Sequence, residues 1–364
     1  MRLRAKSITA LFALLTVLAS CNFLMYDNRE IPPRQIPAME HVYTKEIPQN
    51  NASYTLNGAV LSGQPDSFEV LLLAEYENNP PQFLYLKPES PAIFIDNALS
   101  NPRSLMRCSS GFAAVTVINS TNKSLDTTYF MNNQILNSTP IFSFGTSSLP
   151  ALPSIQFPVY DPQQSIPFIT SYDPDNLYLV PWINLMWQPQ TMFTNIVSRL
   201  REAFSLLNDT NYPAASFWNI NSYNMQQAEC LYNSTMLLRV SKYSESGKLS
   251  EKYLFLVNTQ SSALVGPKRV FVDLPSVLFK DADGNVMVLQ AVKKNERSTT
   301  FQFLDASLNI RKKLVVYGDS VYPLGYQTRA GIPGLAFLVR SSRWGSSLYY
   351  LSVFFLPLSK IGEL

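Results

Sequence analysis

Along most of the chain the apolar positions fall in short runs of Val, Ile, Phe, Tyr and Leu, cut apart by Asn, Asp, Ser, Gly and Pro. That is the pattern of strands and tight turns. The runs also come in pairs. Residues 68–74 are followed by Asn78-Asn79-Pro80 and 83–86, and residues 112–118 by a polar loop and 128–131. Residues 166–170 lead through Asp173-Pro174-Asp175-Asn176 to 177–180, and 236–240 through 244–247 to 253–257. Residues 286–292 lead through 294–297 to 300–304, and 335–339 through 343–345 to 348–351.

The six hairpins begin near 68, 112, 166, 236, 286 and 335, at spacings of 44, 54, 70, 50 and 49 residues. Repeats of that size, each with room for four strands, predict an all-β chain folded as a β-propeller of about six four-stranded blades. The spacings are also compatible with five or seven. One twisted sheet cannot bury both of its faces alone, and radial stacking buries them against neighbours. A strand near 54–60 is expected to join the last blade and close the ring. The alternative architecture is two β-sandwich domains split near residue 200. The long third spacing has a local cause. Phe193, Ile196, Val197, Leu200, Phe204 and Leu207 recur at helical intervals, which predicts one amphipathic helix over 191–207, stopped by Asn208-Asp209 and Pro213. The resemblance to propellers is one of repeat pattern alone. The WD, kelch double-glycine, Asp-box and quinoprotein-type signatures are absent, so no functional residue carries over.

The first residues read differently. Arg2, Arg4 and Lys6 precede an apolar run over 8–18, which ends Leu18-Ala19-Ser20-Cys21. The run has signal-peptide length and is too short to span a bilayer comfortably. The four residues resemble the lipobox of bacterial lipoproteins. That resemblance covers residues 1–21 and implies cleavage before Cys21, diacylation of its sulfur and frequent acylation of the new amino group. Several acyl chains anchor stably where one is marginal. The chain is therefore expected to divide into a signal peptide (1–20), a Pro-rich tether (21–50) and a propeller domain (51–364). Asn22, where enterobacterial inner-membrane lipoproteins carry Asp, favours the outer membrane.

Charge then changes meaning. The chain has 29 Lys and Arg against 26 Asp and Glu, formally +3. Removing residues 1–20 leaves 26 of each. A nucleic-acid partner is not expected of a neutral chain. Residues 21–190 hold 7 basic and 14 acidic side chains, and residues 191–364 hold 19 and 12. The middle-hairpin loops repeat that split. Glu75, Glu77, Lys123, Asp126, Asp173 and Asp175 lie in the first three, and Lys242, Glu245, Lys248, Lys293, Lys294, Glu296, Arg297, Arg340 and Arg343 in the last three. On a propeller these loops share one face, and such a field orients a charged partner or a membrane surface. Trp344 sits beside Arg343 in a polar hairpin tip, either as a binding anchor or folded back to cap its blade. Lys293, Lys294, Arg297, Arg340, Arg343 and Trp344 are the candidate partner-binding residues.

Chemistry is sparse. The one His, His41, falls in the tether, so a Ser-His-Asp triad inside the domain is excluded. No metal-ligating cluster or cofactor motif stands out, and Asp281–Asn285 reads as a hairpin turn with Gly284 at positive φ rather than a calcium loop. Cys108 and Cys230 fall in non-adjacent repeats, and sequence leaves their pairing open. The expected protein is thus a monomeric, lipid-anchored envelope module that binds or scaffolds protein or glycan partners. The alternative is an envelope glycan hydrolase with two channel carboxylates about 5–10 Å apart.

Overall fold

The structure is a computed structural model. It describes residues 30–48, 59–76, 82–95, 263–343 and 347–364, and between them the strands named below, 199–200, 202–203 and 260–261. Side chains of the second and third sheets lie outside that description except Arg107 and Phe112, as do those of some further strand residues in the first and fourth.

Six antiparallel sheets are present among the described residues. The first comprises Ala52–Ser53, Val60–Leu61, Val70–Tyr76, Gln82–Leu86 and Ile93–Ile95. The second holds Pro102–Cys108, Gly111–Asn119, Ser124–Met131 and Gln134–Ser143. The third holds Gln156–Asp161, Ile166–Tyr172, Leu177–Ile183, Met186–Trp187 and Thr191–Phe193. The fourth holds Tyr223–Leu231, Thr235–Tyr243, Leu249–Asn258 and Leu264–Val270. The fifth holds Val277–Lys280, Val286–Asn295, Ser298–Asp305 and Ile310–Tyr317. The sixth joins Ser320–Arg329, Ile332–Ser342 and Leu348–Pro357 to Glu40–Pro48. All six expected hairpins are the central strand pairs of these sheets.

The innermost strands define the ring. Val60–Leu61, Pro102–Cys108, Gln156–Asp161, Tyr223–Leu231, Val277–Lys280 and Ser320–Arg329 contact one another in that cyclic order, and the last returns to the first. The chain is a β-propeller. Its cores lie between sheets rather than within one. Leu71, Phe83 and Tyr85 meet Phe112 between sheets one and two. Leu237, Leu254 and Leu256 meet Leu278, Val288 and Leu304 between four and five. Phe279, Phe301 and Phe303 meet Phe337 and Phe354 between five and six. Ile47, Leu61 and Leu84 meet Leu338, Val353 and Phe355 between six and one. The fifth sheet shows why its strands are apolar throughout. Leu278, Val288 and Leu304 face the fourth sheet, while Phe279, Leu289 and Phe303 face the sixth. Strands alternate faces at every residue, so burial on both sides removes the polar half of the pattern.

Closure differs from expectation. The closing strand is Glu40–Pro48, within the stretch assigned to the tether, and it pairs along its length with Leu348–Pro357. Val60–Leu61, near the expected closing strand, is instead part of the first sheet's own inner edge. The physical reason is exposure. Glu40–Pro48 is the outermost strand, buries only Tyr43 and Ile47, and carries Glu40, Lys45 and Glu46 among its other positions, so its apolar signal is weak. Ties across the seam reinforce it: Tyr43 Oη donates to Phe68 O (2.8 Å) and Lys45 Nζ to Pro88 O (2.7 Å). Gln327 Nε2, in the last inner strand, donates to Ser62 O (3.1 Å) and Ser67 O (2.5 Å) of the first sheet.

The helix expected over 191–207 is shorter at its start. Thr191–Phe193 is a strand paired with Leu177–Leu179. Residues 199–200 and 202–203 are helical, with Leu200 buried and Arg199 and Glu202 exposed, as the amphipathic reading required. Asp281–Asn285 is the expected turn. Gly284 has φ +82°, and Asp281 Oδ1 accepts from Asp283 N (3.0 Å) and Asn285 N (2.8 Å).

Candidate functional site

Strand direction assigns the loops to faces. In the fifth sheet Val286–Asn295 runs up to the tip at 295–298, and Ile310–Tyr317 returns to the same end, since Ser298 pairs with Tyr317. The connections between sheets therefore share a face with the middle-hairpin tips. The turns at 281–285, 305–309 and 330–331 lie on the opposite face.

Two of the basic hairpins are stapled together there. Gly318 N donates to Arg297 O (2.9 Å), and Asp319 N to Arg340 O (2.8 Å). The Asp319 carboxylate accepts from Ser342 N (2.7 Å) and Ser342 Oγ (2.6 Å). Gly318 is required by close approach, because a Cβ would sit 2.2 Å from Val339 Cγ1. The structure thus brings Lys293, Lys294, Arg297, Arg340 and Arg343 to adjacent tips of one face. Lys293, Lys294, Arg297 and Arg343 are exposed and Arg340 half-buried. Arg340 lies over the Tyr349 ring at 5.2 Å and Arg343 over Tyr350 at 6.0 Å. Trp344, Cys21 and the side chains of Lys242, Glu245 and Lys248 lie outside the described residues.

The two faces balance their charge differently. On the opposite face Arg311 pairs with Asp305 (2.7 Å), Arg329 with Glu40 (2.8 Å) and Lys360 with Glu363 (2.8 Å). On the hairpin-tip face, Lys293, Lys294 and Arg297 form no ion pair with any described residue. Around the fifth and sixth sheets, the tip cations therefore lack the acidic neighbours that Arg311, Arg329 and Lys360 have.

A second cationic feature was not legible in the sequence. Arg239 and Lys252 in the fourth sheet are 4% and 7% exposed, and both bond one oxygen of Asp273 at 2.5 Å. Asp273 itself lies in the connection to the fifth sheet and is 75% exposed. Arg239 also donates to Leu274 O (2.5 Å). Burial pulls the Lys252 ammonium below its ordinary pKa, and the Arg239 charge adds to that against the Asp273 hydrogen bond. Burial works to raise the Asp273 carboxyl, but the Lys252 hydrogen bond and the two cations outweigh it and hold it low. The available signal was a cation inside an apolar strand, Arg239 between Leu238 and Val240. Two exposed aromatics on the same face were also missed. Phe271 is 69% exposed beneath Arg269, and Tyr317 is 45% exposed at the end of its strand.

The channel was the expected place for a hydrolase. The inner strands contain two acidic positions, Asp161 and Glu229, in the third and fourth sheets, and their side chains lie outside the described residues. Arg107, on the second inner strand, donates to Tyr326 O on the sixth. His41 lies in the closing strand, edge-on to Phe354 with ring centroids 5.5 Å apart. Among the described residues no group of His, Cys, Asp and Glu is arranged to hold a metal.

No protein-family model matches the chain. No curated protein matches it. Solved structures do. A protein of unknown function from Dyadobacter fermentans is similar at a TM-score of 0.50 and 8% identity, over 88% of this chain and 100% of that one. The β-propeller domain of Nup133 from Vanderwaltozyma polyspora is similar at 0.38 and 12%, over 81% of each chain. The Dos1 propeller is similar at 0.37 and 8%, over 83% of this chain and 69% of that one. At such identities the likeness concerns fold alone.

Proposed function

We propose that the protein is an exported bacterial lipoprotein, anchored through acyl chains on Cys21, whose propeller binds or scaffolds an acidic partner without doing chemistry. Residues Leu18-Ala19-Ser20-Cys21 support the anchor. The observation that carries the binding role is the contrast between faces. Arg311, Arg329 and Lys360 on the far face are each paired with an acidic neighbour, whereas Lys293, Lys294 and Arg297 form no ion pair with any described residue and are left to meet charge from outside. An exposed basic surface of this kind selects acidic partners and speeds their encounter. Protein and glycan surfaces are the partner classes, and the outer membrane is the favoured location.

Fatty-acid labelling in cells tests the anchor. The protein takes up label and sediments with membranes, and Cys21→Ala abolishes the labelling. An unlabelled wild-type chain overturns the reading.

A further inference from the structure

The route of the N-terminal segment links the basic tips to the anchor. Gln35 acts as an extra strand residue on the outer edge of the fifth sheet. Its Oε1 accepts from Tyr317 N (2.9 Å) and its Nε2 donates to Tyr317 O (2.6 Å). Tyr317 is the hairpin-tip end of that strand, next to the Arg297 tip. The described chain begins at Glu30, five residues earlier and so within about 18 Å of Gln35. Nine residue-to-residue steps, at most about 32 Å, separate Glu30 from Cys21. The tether's point of attachment, Gln35, therefore lies at the basic-face edge of the disc.

We infer that Lys293, Lys294, Arg297 and Arg343 seat the propeller on the anionic headgroups of the membrane that holds the Cys21 anchor. The inference rests on the anchored reading and takes the membrane itself, in place of a protein or glycan, as the acidic surface that the basic face meets. Three observations converge on it. The cations without an ion pair among the described residues lie on the face where Gln35 holds the tether. The exposed aromatics Phe271 and Tyr317 are on that face too, and aromatic side chains with basic neighbours suit the headgroup region. The far-face turn 281–285 carries Asp281 and Asp283, which an anionic surface repels. One-sided docking holds the disc flat on the membrane and turns its opposite face outward.

The test uses the full-length protein, expressed in a bacterial host, isolated from membranes and reconstituted in vesicles. One set is phosphatidylcholine alone, and the other is phosphatidylcholine with phosphatidylglycerol. Backbone hydrogen exchange is read at 293–298 and 340–343, and at the far-face turns 281–285 and 305–309. The tips are expected to exchange at least about fivefold more slowly on the anionic vesicles, the factor a single Lys or Arg contributes there. High salt and the Lys293→Gln/Lys294→Gln/Arg297→Gln variant remove the difference, and the far-face turns stay unchanged. Equal exchange on both vesicles, or protection of the far-face turns, overturns the inference. So does protection that appears only when an envelope protein or glycan fraction is added. The intact mass of the same sample separates the two claims. An acylated chain with unprotected tips removes the docking alone, and an unacylated chain removes the anchor with it.

Discussion

At the residue scale, the Arg239–Asp273–Lys252 cluster shows what a single carboxylate holds in place. Two nearly buried cations share one oxygen, and neither has another acidic partner among the described residues. Asp273→Asn leaves both charges without it. Losing one partner of a fully buried pair costs about 3–5 kcal/mol, but Asp273 is largely exposed and water screens the loss. We expect a destabilisation of about 1–2 kcal/mol, read by urea unfolding at pH 7. The carboxyl is held below its unfolded value, so its contribution is complete above about pH 4 and fades as pH falls through the lower folded value. The wild-type and Asp273→Asn stabilities should therefore converge in acid, and a gap that persists there contradicts the role. Ala330 makes a smaller case. It sits at φ +50° before Gly331 at +76°, in the two-residue turn linking Ser320–Arg329 to Ile332–Ser342. Ala tolerates that region poorly and Asn well, so Ala330→Asn should stabilise by about 0.5–1 kcal/mol in thermal unfolding.

At the element scale, what was legible follows from burial. Central hairpin strands are covered on both faces, so their apolar runs stand out without any structure. The fifth sheet is the clearest instance, with Phe301 and Phe303 turned one way and Leu304 the other. Edge strands were harder. Glu40–Pro48 buries two side chains and follows Ile36-Pro37, so it reads as linker until its partner strand is known. Thr191–Phe193 begins a convincing helical period yet pairs with the third sheet, because tertiary pairing there outweighs local periodicity. The closing strand also yields a test. Ile47 is fully buried between the last and first sheets, and Ile47→Ala should cost about 2–4 kcal/mol. Hydrogen exchange should then rise along Leu348–Pro357 more than in the fourth sheet. A uniform rise would argue that Glu40–Pro48 does not act as a local closure.

At the scale of the whole molecule, the ring sets where charge lies, and composition conceals it. A chain neutral beyond residue 20 becomes a disc with opposed halves, and around the fifth and sixth sheets Arg311, Arg329 and Lys360 are paired on one face while Lys293, Lys294 and Arg297 have no acidic partner among the described residues on the other. The basic tips were legible because polar hairpin loops announce themselves. That they share a face with Phe271, Tyr317 and the neighbourhood of the tether was not, because it depends on strand direction and on the Gln35–Tyr317 contact across 282 residues. The buried cations were illegible for a similar reason, since Asp273 comes from a different sheet connection. The central claim is that this body is carried on a lipidated Cys21. The most direct measurement is the intact mass of the mature protein extracted from membranes, with fragmentation of its N-terminal peptide. A lipidated anchor predicts a chain beginning at Cys21 and carrying a diacylglyceryl group on sulfur. A mature chain with an unmodified N-terminus, or one cleaved elsewhere, would contradict it.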